Sequence, residues 1–178
     1  MRTTIGIAID IPEPWGGELT RRRAAAGDPQ AAFVPAHVTL LGPTEIDAYR
    51  LDEIERYLAG VAAAYPPFPL HLRGTGTFRP VTEVVFVTVA AGISECELLA
   101  AAIQECAAIK RELRFPYHPH VTVAQDVAPD QLDAVFDDLA GFEAQFPADG
   151  FTLFEHGPDG RWRVHRDYRL TGSATGSS

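Results

Sequence analysis

Two short stretches of this sequence carry the same pair of reactive side chains. Residues 37–40 read His-Val-Thr-Leu and residues 120–123 read His-Val-Thr-Val; they are called here the first and second tetrad. Both alternate polar and apolar residues, the pattern of a strand with one buried face. On such a strand the histidine and threonine point to the same side, roughly 6–7 Å apart. Each tetrad therefore presents an imidazole and a hydroxyl on one face, and its aliphatic residues anchor the other face in a core.

The polar residues of the tetrads are suited to phosphodiester chemistry. Cleaving a phosphodiester requires a base that deprotonates water and an acid that protonates the leaving alkoxide, and two imidazoles do both near neutral pH. Hydroxyl donors beside them can hold the non-bridging oxygens, where charge develops in the transition state. This set needs no metal ion or other cofactor, and the sequence does not indicate which histidine is the base. The candidate catalytic residues are His37, Thr39, His120 and Thr122.

At the two tetrads the sequence resembles the two-histidine phosphoesterase superfamily, which includes the 2'-5' RNA ligase and cyclic phosphodiesterase families. The resemblance extends over residues 3–170, although only the tetrads are specific to the family. It implies a bilobal α+β fold in which the tetrads lie on adjacent strands and line a cleft. It also implies metal-free chemistry on 2',3'-cyclic phosphates or 2'-5' phosphodiester links. The expected partner is an RNA end or a small nucleotide with a cyclic phosphate.

Three further residues are candidate substrate contacts. His118 shares strand parity with His120, although the intervening proline can bend the chain away. Phe78 lies where related chains often carry an aromatic residue and could stack on a base, with core packing as the alternative. Arg79, the next residue, is a candidate phosphate contact. Tyr117 has the opposite strand parity and is predicted to lie in the core or at the rim of the cleft.

The charge of the chain constrains the kind of ligand. The net charge is −9 and the isoelectric point is about 5.0, so the chain as a whole lacks the basic surface that grips long nucleic acids. A small nucleotide or a single RNA end is compatible with this charge, since a local cluster of donors can hold one phosphate. The basic run at residues 21–23 is predicted to be a solvated helix face, and the alternative is a phosphate-steering patch near the mouth of a cleft.

Two other classes of function stay open at this point. A zinc hydrolase could use His118, His120 and His37 as its three ligands, although this leaves both threonines without a role and places a proline between two ligands. A non-catalytic nucleotide- or RNA-binding module could share the same fold. Such a module has no need for two titratable bases, so the presence of both complete tetrads favours an enzyme.

Hydrophobic periodicity and turn residues predict the elements that position the tetrads. Strands are predicted at residues 3–9, 33–41, 68–77, 84–90, 119–125, 151–156 and 162–170. Helices are predicted at residues 15–26, from 47 or 52 to 64, 94–110 and 129–139. The third helix is expected to begin with Ser94 as its N-cap, with Glu97 completing a capping box.

The order of these elements forms an approximate internal repeat with one tetrad in each half. We therefore predict an α+β, bilobal fold of two antiparallel β-sheets with outer helices, related by a pseudo-twofold axis, with both tetrads in a central cleft. Residues 1–171 are expected to form a single two-lobed domain. The Gly- and Ser-rich residues 172–178 are expected to form a flexible tail.

Composition indicates the compartment and the partners. Hydrophobic residues make up 46% and charged residues 22% of the chain, as in an ordinary soluble globular protein. No apolar run approaches the length of a membrane span, and the start lacks the features of a signal peptide. Cys96 and Cys106 are ten positions apart in one helical pattern, roughly 15 Å along the axis, which is too far for a disulfide. A cytoplasmic monomer with no membrane partner is the expectation.

Overall fold

The computed structural model describes residues 1–109 and 116–173. Within these residues the chain forms eight strands, four α-helices and two short 3-10 turns. In chain order the strands and α-helices are β1 (Arg2–Asp10), α1 (Trp15–Ala25), β2 (His37–Asp47), α2 (Leu51–Ala64), β3 (Phe68–Thr77), β4 (Val84–Ala91), α3 (Ile93–Gln104), β5 (His120–Gln125), α4 (Pro129–Asp138), β6 (Glu143–Ala148), β7 (Gly150–His156) and β8 (Trp162–Arg169). The 3-10 turns span Pro29–Ala32 and Ala48–Arg50.

The strands form two antiparallel sheets of four, which confirms the predicted α+β architecture. The strand order is β2-β1-β7-β8 in the first sheet and β5-β4-β3-β6 in the second. The tetrad strands β2 and β5 are therefore each an edge strand of their sheet, and they contact each other. The two sheets thus meet along the strands that carry the tetrads.

The predicted strand parity of both tetrads is confirmed. In the second tetrad Val121 and Val123 are fully buried, whereas the histidine and threonine of the same tetrad are half-buried. In the first tetrad Val38 and Leu40 are buried in the same way. The four aliphatic residues belong to one hydrophobic core that includes residues of both sheets. The tetrads are therefore anchored from behind, and their polar faces stay accessible.

The helices cross between the sheets in a symmetric pattern. Helix α1 follows a strand of the first sheet but contacts β5 of the second, and α3 follows a strand of the second sheet but contacts β2 of the first. Helix α2 packs on β8, and α4 packs on β3, β4 and β5. Each sheet is thus covered by one helix from each half of the chain, as the predicted pseudo-twofold relationship requires.

The first tetrad strand differs from its prediction at both ends. It begins at His37, since residues 33–36, which follow a 3-10 turn at Pro29–Ala32, are irregular. It also continues past Gly42 and Pro43 to Asp47, although a glycine and a proline usually end a strand. The pairing with β1 is irregular at this point, and proline is tolerated on an edge strand because only one side of the strand needs to donate hydrogen bonds.

The predicted capping box of the third helix is wrong. Helix α3 begins at Ile93 after Gly92, which has φ = +99°, and Ser94 lies inside the first turn without making a cap. Glycine adopts this left-handed conformation without the steric penalty that a side chain brings. A Cβ atom at this position would also lie 2.8 Å from Leu70 Cδ1. The helix ends at Gln104, and its predicted end at Lys110 lies outside the described residues.

Strand β6 was not predicted. Its residues alternate between exposed and buried, with Ala144, Phe146 and Ala148 facing the core. The sequence hides this pattern because two of the buried residues are small alanines and Pro147 interrupts the run. Since β6 is the outer edge strand of the second sheet, the proline is tolerated there.

The remaining predictions concern the tail, the cysteines and the membrane. The amide of Thr171 donates to Ala62 O at 2.9 Å and that of Gly172 donates to Tyr65 O at 3.0 Å, so the start of the predicted tail is hydrogen-bonded. Residues 174–178 lie outside the described residues. Cys96 and Cys106 are buried free thiols. Among the helices described, none has the length and apolar character needed to cross a membrane.

Candidate active site

The two tetrad histidines are oriented by the same kind of hydrogen bond. His37 Nδ1 lies 2.7 Å from Pro35 O, and His120 Nδ1 lies 2.6 Å from His118 O. A carbonyl oxygen only accepts, so each Nδ1 carries the proton and donates it. Nε2 is therefore the basic nitrogen of each neutral ring. Both imidazoles are thus held in the tautomer that a general base requires, by the carbonyl two residues earlier in the chain.

Burial lowers the pKa of both histidines from the usual value of 6.5. For His37 the desolvation is opposed by the hydrogen bond to Pro35 and reinforced by the charges of Arg23 and His120. For His120 the desolvation is opposed by the hydrogen bond to His118 O and reinforced by the charge of the His118 ring. Both rings are therefore mainly neutral at pH 7. The effect of His120 on the pKa of His37 also places the two tetrad histidines within electrostatic reach of each other.

Two adjoining cavities bring the tetrad residues together. A cavity of about 600 Å³ is lined by His37, Thr39 and Thr122, and a second, also of about 600 Å³, is lined by Thr39, His118 and His120. Because Thr39 lines both, the cavities meet at the first tetrad. The four candidate catalytic residues therefore line two neighbouring cavities that share Thr39.

Tyr117 joins the two tetrad strands. Its hydroxyl donates to Thr39 O at 2.7 Å, across 78 positions of sequence. Burial raises the pKa of Tyr117, so the hydroxyl keeps its proton and remains a donor. The residue lies between core and rim, as predicted, but no feature of the sequence indicated this bond. It ties the chain just before the second tetrad to the backbone of the first.

The structure brings Phe78 and His118 to the site. The Phe78 ring centroid lies 5.0 Å from that of His120 and 5.5 Å from that of His118, with edge-to-face geometry in both cases. These three residues line a third cavity, of about 440 Å³, together with Val81, Thr82 and Pro116. Its wall is mainly apolar. The second tetrad is thus flanked by an aromatic depression large enough for a planar group.

Arg79 is not brought to the site. Its guanidinium donates to Asp133 Oδ1 at 2.9 Å and to Thr77 Oγ1 at 3.2 Å. It lines none of the three cavities described above. The side chain instead connects the end of β3 to helix α4.

Two residues of the first cavity near His37 were not singled out from the sequence: Arg23 was considered only within the run at residues 21–23, and Trp162 was not considered. Arg23, from the run predicted to be a solvated face, is only 7% exposed and lines the cavity beside His37, whereas Arg21 and Arg22 are exposed as predicted. Its spacing of four from the buried Leu19 is a signal that could have identified it. Trp162 places its ring centroid 5.3 Å from that of His37. No local pattern predicts this contact, because the two residues come from distant strands.

The zinc alternative finds no support in the arrangement of side chains. In the described part of the chain no group of three or more His, Cys, Asp or Glu residues is placed to hold a metal ion, the three histidines of this alternative included.

The fold and the paired histidines are those of a two-histidine phosphoesterase. The family model described as the 2'-5' RNA ligase superfamily matches residues 11–160, and the chain belongs to this superfamily. A Bacillus thuringiensis (strain Al Hakam) protein named "Putative phosphoesterase" is 31% identical over 149 residues, which cover 80% of this chain and 83% of that protein.

Two solved structures show the same fold. The crystal structure of TT0787 of Thermus thermophilus aligns with a TM-score of 0.69 and 25% identity, covering 97% of this chain and 100% of that one. LigT of E. coli, crystallised with NADP+, aligns with a TM-score of 0.69 and 22% identity, covering 96% of this chain and 99% of that one. The resemblance of the two tetrads to this family is therefore accompanied by similarity of the whole architecture.

Proposed function

We propose that this protein is a metal-independent phosphoesterase that hydrolyses 2',3'-cyclic phosphate ends of RNA or of small nucleotides, or 2'-5' phosphodiester links. One observation carries the proposal. Two imidazoles, each held by a backbone carbonyl with Nε2 as the basic nitrogen, lie with two threonines around cavities that meet at Thr39. A phosphate between them has a base on one side and an acid on the other.

The proposed reaction uses only side chains of the tetrads. One neutral imidazole takes a proton from water at Nε2 as the water oxygen attacks phosphorus. The other imidazole, protonated, gives its proton to the leaving 2'- or 3'-oxygen as the P–O bond breaks. Thr39 and Thr122 donate hydrogen bonds to the non-bridging oxygens as their charge grows. In the ligation direction the two histidines exchange roles.

Three observations support a small nucleotide as the ligand. LigT has been crystallised with 3'-AMP, with ATP and with phosphate, which suggests a similar ligand here. The aromatic depression formed by Phe78, His118 and His120 offers an apolar wall for a base or ribose next to the second tetrad. The net charge of −9 favours a small nucleotide or a single RNA end over a long duplex. We propose a cytoplasmic, monomeric enzyme.

The test is a panel of 2',3'-cyclic mononucleotides, short oligonucleotides with cyclic phosphate ends, and 2'-5'-linked dinucleotides. Turnover of a cyclic phosphate to a single monophosphate isomer is the expected result, and the isomer shows which oxygen receives the proton. Binding of these compounds without turnover would instead favour the non-catalytic module.

Activity is expected to survive excess EDTA. The proposed acid, base and oxyanion donors are all side chains of the tetrads, so chelation removes nothing that the reaction needs. The measurement is the initial rate on a 2',3'-cyclic nucleotide with and without chelator, and with zinc added back. Loss of activity on chelation, with recovery on zinc, would contradict the two-histidine mechanism and restore the alternative built on His118, His120 and His37.

The pH profile of kcat/KM is expected to be a bell with its maximum below pH 6.5. The base histidine must be neutral and the acid histidine protonated, and kcat/KM reports the pKa values of the free enzyme, both of which burial lowers from 6.5. Activity therefore falls as the pH rises through the lowered pKa of the acid, and falls again as the pH drops through that of the base. The two limbs belong to the coupled pair rather than to either residue alone.

Substrate binding provides an internal check on this profile. A bound phosphate anion favours the charged form of both imidazoles and raises their pKa values. The profile of kcat should therefore lie at higher pH than that of kcat/KM, measured on the same cyclic nucleotide. A kcat/KM maximum above pH 6.5, or two profiles that coincide, would contradict the assignment.

A further inference from the structure

The cavity that contains the first tetrad also contains a buried cation. Arg23 lies on the same face of α1 as the fully buried Leu19, and the residue is only 7% exposed. It lines the cavity with His37, Thr39 and Thr122. Its charge is close enough to contribute to the lowered pKa of His37. An arginine on the buried face of a helix needs a reason, because desolvating its charge is costly.

Asp28 holds this arginine by one edge. Its Oδ2 accepts from Arg23 Nε at 2.7 Å and from the amide of Gln125 at 3.0 Å, and its Oδ1 accepts from the amide of Gln30 at 2.9 Å. The residue is 3% exposed, and its carboxylate is shared between Arg23 and two backbone donors. Through these bonds it connects α1 to the last residue of the second tetrad strand.

The other edge of the guanidinium is available. The carboxylate receives only Nε, and in the described residues the terminal nitrogens of Arg23 have no hydrogen-bond partner. Among the described residues, the only fully buried side-chain nitrogen or oxygen without a partner is the Tyr168 hydroxyl. The unpaired terminal nitrogens of Arg23 are therefore accessible. The pairing therefore fixes the guanidinium while leaving N–H donors available at the cavity that Arg23 and His37 both line.

We infer that Arg23 binds the phosphate of the substrate, donating its terminal N–H groups to a non-bridging oxygen. This inference rests on the proposed function. A cyclic phosphate or a phosphodiester carries one negative charge, and a chain of net charge −9 needs a local cation to hold it. Arginine presents several donors in a fixed plane, and its charged hydrogen bonds to phosphate are among the stronger ones in proteins.

The competing explanation is that the pair is only structural. Asp28 does join α1 to Gln125, so the ion pair could serve only to hold the helix on the second sheet. A buried ion pair adds little stability over apolar residues of similar volume, however, and a leucine at position 23 would continue the face begun by Leu19. A purely structural role also gives no reason for accessible terminal nitrogens in the cavity of His37.

The experiment compares Arg23→Met with Arg21→Met. Both substitutions remove one positive charge from the same helix, but Arg21 is exposed. Binding of inorganic phosphate and of 3'-AMP is measured by calorimetry, and kcat and KM are measured on a 2',3'-cyclic nucleotide. Arg23→Met is expected to weaken phosphate binding and lower kcat/KM by roughly 10- to 100-fold. Arg21→Met is expected to change both by less than about twofold, since screening by salt weakens exposed charges.

A second set of variants separates binding from folding. Arg23→Met leaves the Asp28 carboxylate buried and unpaired, so it is also expected to lower the melting temperature. The double variant Arg23→Met/Asp28→Asn removes both charges and is expected to recover part of that stability without recovering phosphate affinity. The recovery is partial because the single oxygen of asparagine can accept from only one of the amides of Gln30 and Gln125. Arg23→Lys keeps the charge but loses the planar donors, so its affinity should lie between those of wild type and Arg23→Met.

These outcomes distinguish failure of the inference from failure of the proposed function. If the double variant binds phosphate within about twofold of wild type, or if Arg21→Met is damaged as much as Arg23→Met, the inference is wrong, and turnover by wild type still supports the function. If no substrate is turned over but phosphate binding depends on Arg23, the function is wrong and the binding site stands. A wild-type protein that binds neither phosphate nor 3'-AMP overturns the inference.

Discussion

Replacing either tetrad histidine with alanine is expected to lower kcat/KM on a 2',3'-cyclic nucleotide by roughly 10²–10⁴-fold, the usual contribution of a positioned general acid or base. His37 and His120 are each held through Nδ1 by a backbone carbonyl, which leaves Nε2 of each ring free for proton transfer. His71→Ala is the matched control, because His71 lines none of the three cavities. Its Nε2 instead contacts Glu143 Oε1.

The two variants are expected to differ in kind. Each should lose one limb of the pH profile, and the limbs should not be the same, since one histidine acts as base and the other as acid. A substrate whose leaving group needs no protonation, such as a p-nitrophenyl ester, should restore activity only to the variant that lacks the acid. The double variant should be less damaged than the product of the two single effects, because both groups act on one transition state.

One specific result would contradict the assignment of His37 and His120 as the acid and base. If His37→Ala and His120→Ala both keep rates near wild type while His118→Ala is inactive, the tetrads have been misinterpreted. His118 lines two of the same cavities as His120 and its ring is 5.6 Å from that of His120, so this variant is the sharpest test of the assignment.

The threonines are expected to give the second largest effect. Thr39→Val and Thr122→Val should each lower kcat/KM by roughly 10- to 1,000-fold, as loss of one oxyanion donor does. Both hydroxyls are without a hydrogen-bond partner among the described residues, so valine removes a donor to the substrate without breaking a bond within the protein. The side chains are half-buried on strands, where valine is well accommodated. The melting temperature should therefore stay near that of wild type.

Thr75→Val supplies the opposite control. The Thr75 hydroxyl donates to Phe136 O at 2.9 Å and joins β3 to α4, outside the three cavities. Its replacement should lower the melting temperature by breaking a part-buried hydrogen bond, while kcat/KM changes little. If instead Thr39→Val and Thr122→Val both leave the kinetics unchanged, the tetrad threonines are only strand-forming residues.

The geometry of each tetrad is predictable from sequence because it is local. Alternation along a strand is enough to place histidine and threonine on one face and the aliphatic residues on the other. The meeting of the two tetrads is not local, since it depends on β2 and β5 being edge strands of different sheets. The resemblance to the two-histidine phosphoesterases and the internal repeat predicted that meeting, whereas hydrophobic periodicity alone contains no information about which strand edges touch.

The arginines show where the sequence analysis was limited. Arg79 is favoured by its position after Phe78, but its partner Asp133 comes from a helix 54 positions away. Arg23 stands in a run predicted to be solvated, although its spacing from Leu19 places it on the buried face. Helical periodicity could have identified Arg23 as a buried residue. It could not have predicted the ion pair of Arg79, because ion pairs between distant segments leave no local pattern.

Because helices and strands of each half pack in the sheet of the other half, the two halves of the chain do not form independent structural units. The first half supplies β3 to the second sheet and α1 to the face of β5, while the second half supplies α3, β7 and β8 to the first sheet. A fragment that ended after Thr77 would possess β1 and β2 without the strands that complete their sheet. Neither half of the chain therefore contains a complete sheet of its own, so the two halves are expected to fold together and not as separate units.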